Sequence, residues 1–136
     1  MLMGAPIKLI GNYNGDISYL NAYGRPGKAG IVTTGHGSIL EANDEAAKLF
    51  NVISAKAMKN VLIVSYAHRS SVQNFKSYLH SAKNVDSFST DLLVLRPRGG
   101  VPFKAAVSAK VIARGQQIVL LYWEVSVATI SGLKIA

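Results

Sequence analysis

Gly30 to Phe50 reads GIVTTGHGSILEANDEAAKLF, and its sequence of strand, turn, strand and helix start decides the fold. Ala29 to Thr34 is a short β-type run, and Ser38 to Glu41 is its return. Between them Gly35 and Gly37 bracket His36. Two glycines around one residue allow a tight hairpin, because positive φ costs glycine little. His36 is then the solvent-facing tip of a turn, punctuation rather than chemistry. Asn43 is a good N-cap, and Asp44 and Glu45 put negative charge in the first helical turn, where the helix dipole favours it. Ala46, Ala47 and Phe50 share a face, so a short helix runs to about Phe50.

Outward from this stretch, the last third of the chain reads as strand. Thr90 to Arg96 is the first, and Pro97 to Pro102, with Gly99-Gly100, turns the chain. Phe103 to Ile112 alternates: Phe103, Ala105, Val107, Ala109 and Val111 fall on one face, and Lys104, Ala106, Ser108 and Lys110 largely on the other. That is the pattern of a half-buried antiparallel strand. After a turn over Ala113 to Gln117, Ile118 to Val125 is almost wholly apolar, as in a central strand covered on both faces. Ahead of these strands, SSVQNFKSYLHSAK from Ser70 to Lys83 puts Val72, Phe75, Leu79 and Ala82 on one helical face, with Ser70 or Ser71 as the cap. Val61 to Ala67 is apolar and reads equally as strand or helix. In the lead-in, Asn14-Gly15 is a turn dipeptide, so IKLIGNY and DISYLNAY are candidates to pair as a hairpin. GRPGKAG, Gly24 to Gly30, reads as a loop or linker.

Composition narrows the function classes. A chain of 136 residues, 49% hydrophobic and 16% charged, suits one packed domain rather than disorder. No apolar run approaches membrane-spanning length, so no membrane segment is expected. MLMGAPIKLIG lacks the layout of a signal peptide, and the cytoplasm is the expected location. The absence of cysteine removes disulfides, thiolate catalysis and Cys-type zinc sites. No HExxH or other close histidine pair offers a metal site. GRPGKAG fails as a phosphate loop, which would need Gly at Ala22 and Ser or Thr at Ala29. Glu41 and Asp44 flank the N-cap, where capping and dipole effects explain them. The expectation is a protein that is not an enzyme. The net charge is +8, and Leu92 to Trp123 holds Arg96, Arg98, Lys104, Lys110 and Arg114 with no acid. Such a run suits an acidic partner or nucleic acid, or simply a solvated sheet edge. The second reading is preferred, because no aromatics interleave as stacking platforms.

The ordered set from about Ala29 to Ser126 resembles the PAS domain family. The opening strand, Gly-containing turn, second strand and Asn-capped helix with paired alanines are similar to the family's start. SYAHRSS, Ser65 to Ser71, resembles the stretch before its long helix, Gly99-Gly100 its hairpin between the third and fourth strands, and Glu124-Val125-Ser126 its Asp-Ile-Thr type ending. The resemblance implies an α+β fold: a five-stranded antiparallel sheet with short helices and one longer helix packed on one face. It implies a domain over residues 29–126, a lead-in, linker or cap over 1–28, and a tail over 127–136 toward an output domain, covalently linked or separate.

The function so implied is a sensory module of a signal-transduction protein, of two-component kinase or transcription-regulator type. It would bind a small ligand or a partner and relay a conformational shift; a ligand-free dimerisation or protein-interaction module is the alternative, and a homodimer is expected. The family's pocket lies between sheet and helices. Mapped here, it takes Phe75, Tyr78 and Leu79 from the helix, Leu93, Phe103 and Val107 from the strands, and Tyr122 or Trp123 from the last strand. Glu124, where the family usually has Asp, and Ser126 are the implied output residues. Some relatives hold haem through a histidine near the long helix. His80 lies away from the Val72–Phe75–Leu79 face, which leaves His68 as a weak candidate, with a surface or capping role preferred. Zero cysteines excludes cysteine-linked flavin or chromophore, and the cofactor, if any, is undefined.

Overall fold

The computed structural model describes residues 18–81, 85–115 and 119–128. The Asn14-Gly15 turn, the IKLIGNY strand, the last residues expected of the long helix and the 129–136 tail lie outside the described residues. Strands β1 (Ala29–Thr34), β2 (Ile39–Ala42), β3 (Ser87–Leu95), β4 (Phe103–Arg114) and β5 (Val119–Val127) form one sheet in the order β2-β1-β5-β4-β3. Every pairing is antiparallel. Helix α1 (Tyr19–Tyr23) precedes β1, and helices α2 (Asp44–Leu49) and α3 (Val72–Ser81) are joined by 3₁₀ turns at Ala55–Met58, Ile63–Tyr66 and Arg69–Ser71. The expected fold class is observed.

The opening hairpin forms as its sequence predicts. Thr34 N–H donates to the Ser38 carbonyl at 3.0 Å, and Gly37 N–H to the Thr34 carbonyl at 2.9 Å. Gly37 has φ of 91°, and His36 is exposed at the tip. Asn43 does more than cap α2. Its Oδ1 accepts from Ala46 N–H at 2.9 Å and from Gly30 N–H at 3.0 Å, and its Nδ2 donates to the Lys28 carbonyl at 2.8 Å. One side chain thereby fixes the start of α2 to the start of β1.

β5 lies between β1 and β4, and alternation sends its side chains to opposite sides. Leu121, Trp123 and Val125 join the inner core with Ile31, Ile39, Phe50, Phe75, Leu93 and Val107. Leu120 and Tyr122 join Tyr19, Val32, Ile112 and Ala113 in a smaller outer core. The last strand is thus covered on both faces, as its apolar run predicts.

Three local readings are corrected. Within DISYLNAY, the described residues Ser18 to Tyr23 are not strand; Tyr19–Tyr23 is α1. Ser18 Oγ accepts from Asn21 N–H at 3.2 Å, and the Glu41 carboxylate accepts from Tyr19 and Leu20 N–H, each at 3.0 Å. A cap supplied from β2 satisfies the donors of a helix that its own residues do not favour. Val61 to Ala67 is neither strand nor α-helix but a 3₁₀ turn flanked by single bridges, Ser38 to Leu62 and Ala67 to Leu95. The entrance to α3 is not capped by a serine. His68 Nδ1 accepts from Ser70 N–H at 3.2 Å, while Ser71 Oγ accepts from Val94 N–H at 2.8 Å and ties the turn to β3.

Candidate functional site

α3 lies across the inner face of the sheet with Phe75 and Leu79 buried beneath it. Their target is the aromatic floor around Trp123. Phase alternation along β5 points the indole inward, and Trp123 is 0% exposed. The Phe75 ring centroid sits 5.4 Å from Trp123, and Phe88 meets the indole edge-on at 5.6 Å. Tyr78 stacks on Phe88 at 4.8 Å and donates its hydroxyl to Thr90 Oγ1 at 3.3 Å. Phe103 closes the far end against Phe50, 6.4 Å away. The indole N–H donates to Thr33 Oγ1 at 2.8 Å, which satisfies the one polar atom the tryptophan carries into the core.

Seven of the eight expected pocket residues come together here: Phe75, Tyr78, Leu79, Leu93, Phe103, Val107 and Trp123 all belong to the inner core or pack against it. Tyr122 does not. It faces the opposite side of the sheet, in the outer core, because it neighbours the inward Trp123 on an alternating strand. Two members were missed. Phe88 stands in SFST, whose alternation carries a β signal just ahead of the expected strand start. Thr33 carries no signal of its own, since only the β1–β5 register sets it beside the indole. Phe75, Leu79, Leu93, Val107 and Trp123 are each at most 7% exposed, so the inner face is packed on itself.

Open grooves lie on the other face. One of about 480 Å³ is lined by Lys28, Thr90 and Ser126 among others, and one of about 650 Å³ by Tyr23, Ser87 and Lys110; both include Arg25, Ser89, Ser108 and Glu124. Small hydroxyl and charged side chains both contribute to their lining.

The expected output residues are part of this lining. Ser126 is exposed opposite Ala106. Glu124 reaches back toward the N-terminal segment: Arg25 grips it with Nη2 at 2.6 Å and Nε at 2.8 Å, and Tyr122 donates its hydroxyl at 2.8 Å. Arg25 holds the Glu124 carboxyl below the usual carboxylate range, with partial burial opposing and the Tyr122 hydroxyl assisting. Burial, followed by the Glu124 hydrogen bond, pushes the Tyr122 phenol well up. A carboxyl whose folded pKa is depressed stabilises the fold above its unfolded value and loses that contribution as pH falls. The gap in melting temperature between wild type and Glu124→Gln should therefore be full at neutral pH and close below about pH 4.5. A gap that stays constant from pH 7 to 3 would contradict the pairing.

The other candidates separate. His68 uses Nδ1 in the 3₁₀ cap, the preferred role. The basic run is divided: Lys110 Nζ lies 5.1 Å above the Tyr23 ring, Arg114 pairs with Asp86 at 3.4 Å, and Arg96 and Arg98 stand at the β3–β4 hairpin. Among the described residues no cluster of three or more His, Asp or Glu is placed to hold a metal ion. None of the described helices is long and apolar enough to cross a membrane.

No known family's sequence profile matches the chain, and no curated protein sequence does. Solved structures match. The PAS-B domain of Cycle from Drosophila melanogaster, with bound ethylene glycol, aligns at TM-score 0.65 and 12% identity over 74% of this chain and 99% of that one. The PAS domain of a LuxR-family transcriptional regulator from Burkholderia thailandensis, in complex with ethanol, aligns at 0.61 and 18% over 82% and 97%. The PAS domain of nitrogen regulation protein NR(II) from Vibrio parahaemolyticus aligns at 0.57 and 19% over 82% and 100%. At these identities the likeness is one of fold: the chain has the PAS fold.

Proposed function

We propose that this PAS-fold chain is a sensory module that admits a small, largely apolar organic molecule between α3 and the inner sheet face, against Trp123. The observation that carries the reading is the aromatic floor itself. Trp123, Phe75, Phe88 and Tyr78 give broad apolar walls with few polar points, the lining that suits small organic ligands. Support also comes from the neighbours of similar fold, one a domain of a transcriptional regulator and another of a two-component sensor histidine kinase. Because the inner face is packed, binding requires α3 to move off the sheet, and a ligand that favours the moved packing shifts the population toward it. Cytoplasmic signalling without catalysis is the setting this reading implies.

Trp123 is the single tryptophan, so its emission reports the site directly. Titration with small aromatic and aliphatic fragments should shift or quench it, and native mass spectrometry should show the added mass vanish on denaturation. Phe75→Leu should weaken the same fragment by about tenfold if one ring contact is lost. Fragments that bind without moving the indole emission, or no binding at all, would overturn the site. The tight inner packing favours a second reading, a ligand-free dimerisation module. Sedimentation that shows a dimer, together with no bound mass, would select it.

A further inference from the structure

α1 is five residues long, far below the length at which a helix holds itself in water. Two sheet carboxylates hold it, one at each end. At its start Glu41 on β2 accepts from Tyr19 N–H, Leu20 N–H and the Ser18 hydroxyl, each at 3.0 Å. Beyond its end Arg25 makes the two-pronged pair with Glu124 on β5. Between these points the helix covers Val32, Leu120 and Tyr122, with the Tyr23 ring 6.3 Å from that of Tyr122. This apolar contact, the two carboxylates and Lys110 Nζ over the Tyr23 ring at 5.1 Å bind residues 18–25 to the sheet. The Arg25 side chain is 63% exposed, so its pair with Glu124 competes with water and salt.

The position of that pair matters. Trp123 and Glu124 are consecutive on β5, one side chain in the aromatic core and the next in the Arg25 pair. Consecutive strand side chains point to opposite faces, so a shift of the β5 backbone that displaces the indole also moves the neighbouring carboxylate. We propose that residues 18–25 form a releasable strap latched by Arg25 and Glu124, and that a change at the inner face leaves the fold by opening this latch. The exit is then toward the N-terminal side of the domain rather than past the end of β5. Release uncovers the apolar ground at Val32, Leu120 and Tyr122. Calling the release a signal rests on the function proposed above; the latch does not.

Hydrogen exchange by NMR on the whole chain tests both parts. Arg25→Ala should speed exchange of the Tyr19, Leu20 and Gly24 amides by about two- to fivefold while the β4–β5 ladder keeps its protection, the signature of local opening. The charge-swapped pair Arg25→Glu with Glu124→Arg should restore slow exchange. Unchanged strap amides in Arg25→Ala, or no recovery in the swap, would overturn the latch. Trp123→Phe keeps a ring in the core but removes the bond to Thr33, and it should loosen the same three amides with the ladder intact. A folded Trp123→Phe protein with wild-type strap exchange would overturn the coupling. Failure of the sensory reading shows separately, as absence of ligand in mass spectrometry, whatever the strap amides do.

Discussion

Trp123→Ala should cost the fold about 3–5 kcal/mol, the range for removing a fully buried large aromatic side chain. Nothing about its surroundings softens that loss. The side chain is completely buried, touches Phe75 and Phe88 on two sides, and is fixed by the bond to Thr33. Those neighbours are anchored on α3 and β3, so they cannot collapse far into the space. Thr33 loses its donor but still donates to the Thr34 carbonyl at 2.8 Å, so the orphaned oxygen adds little. Since whole domains are stable by only about 5–15 kcal/mol, the variant should sit near the edge of folding at 37 °C. Urea midpoints read by circular dichroism measure the loss, because the variant has no tryptophan left to report it. Indole in the buffer should return part of the stability by mass action, since it binds the folded form alone. A cost below about 1 kcal/mol would mean that the indole is not the centre of the core.

The same strand shows what the sequence can and cannot disclose. Ile118 to Val125 announces a central strand because every position but Glu124 is apolar, and the structure gives both sides a core. For the same reason it hides which residue faces which way: with no polar alternation, Tyr122 and Trp123 are indistinguishable until the register with β1 is known. Phe103 to Ile112 does alternate, and there the inward set is read correctly. The turn, the Asn43 cap and the apolar face of α3 are legible because each depends on residues within one or two turns of chain. α1 is illegible because its cap, Glu41, comes from 21 to 23 positions away. The Arg25–Glu124 pair spans 99 positions, and no local pattern marks it. What escapes the sequence is the set of long-range polar contacts that decide how the N-terminal segment meets the sheet.

Gly37→Ala should be the most damaging change in the Gly-His-Gly turn, with a cost of about 2–4 kcal/mol from two sources. At φ of 91° any side chain pays backbone strain, about 1–2 kcal/mol. An added Cβ would also stand 3.2 Å from Leu79 Cδ1 and 3.3 Å from Ile63 Cγ2, inside the range where neighbours must yield. Leu79 is buried beneath α3, so yielding moves packed core, and overpacking adds roughly 1–3 kcal/mol. Gly35 has no positive φ, and its added Cβ would meet Val119 Cβ at 3.4 Å, an ordinary contact. Gly35→Ala should then cost less than Gly37→Ala by at least about 1 kcal/mol. His36 projects into solvent, and His36→Ala should fall within about 0.5 kcal/mol of wild type. Three thermal melts decide the matter. If His36→Ala loses more stability than Gly37→Ala, the histidine holds the turn and its exposure misleads. If Gly37→Ala dominates, the glycine lets the hairpin close against α3, and the turn helps set how far that helix stands from the aromatic floor.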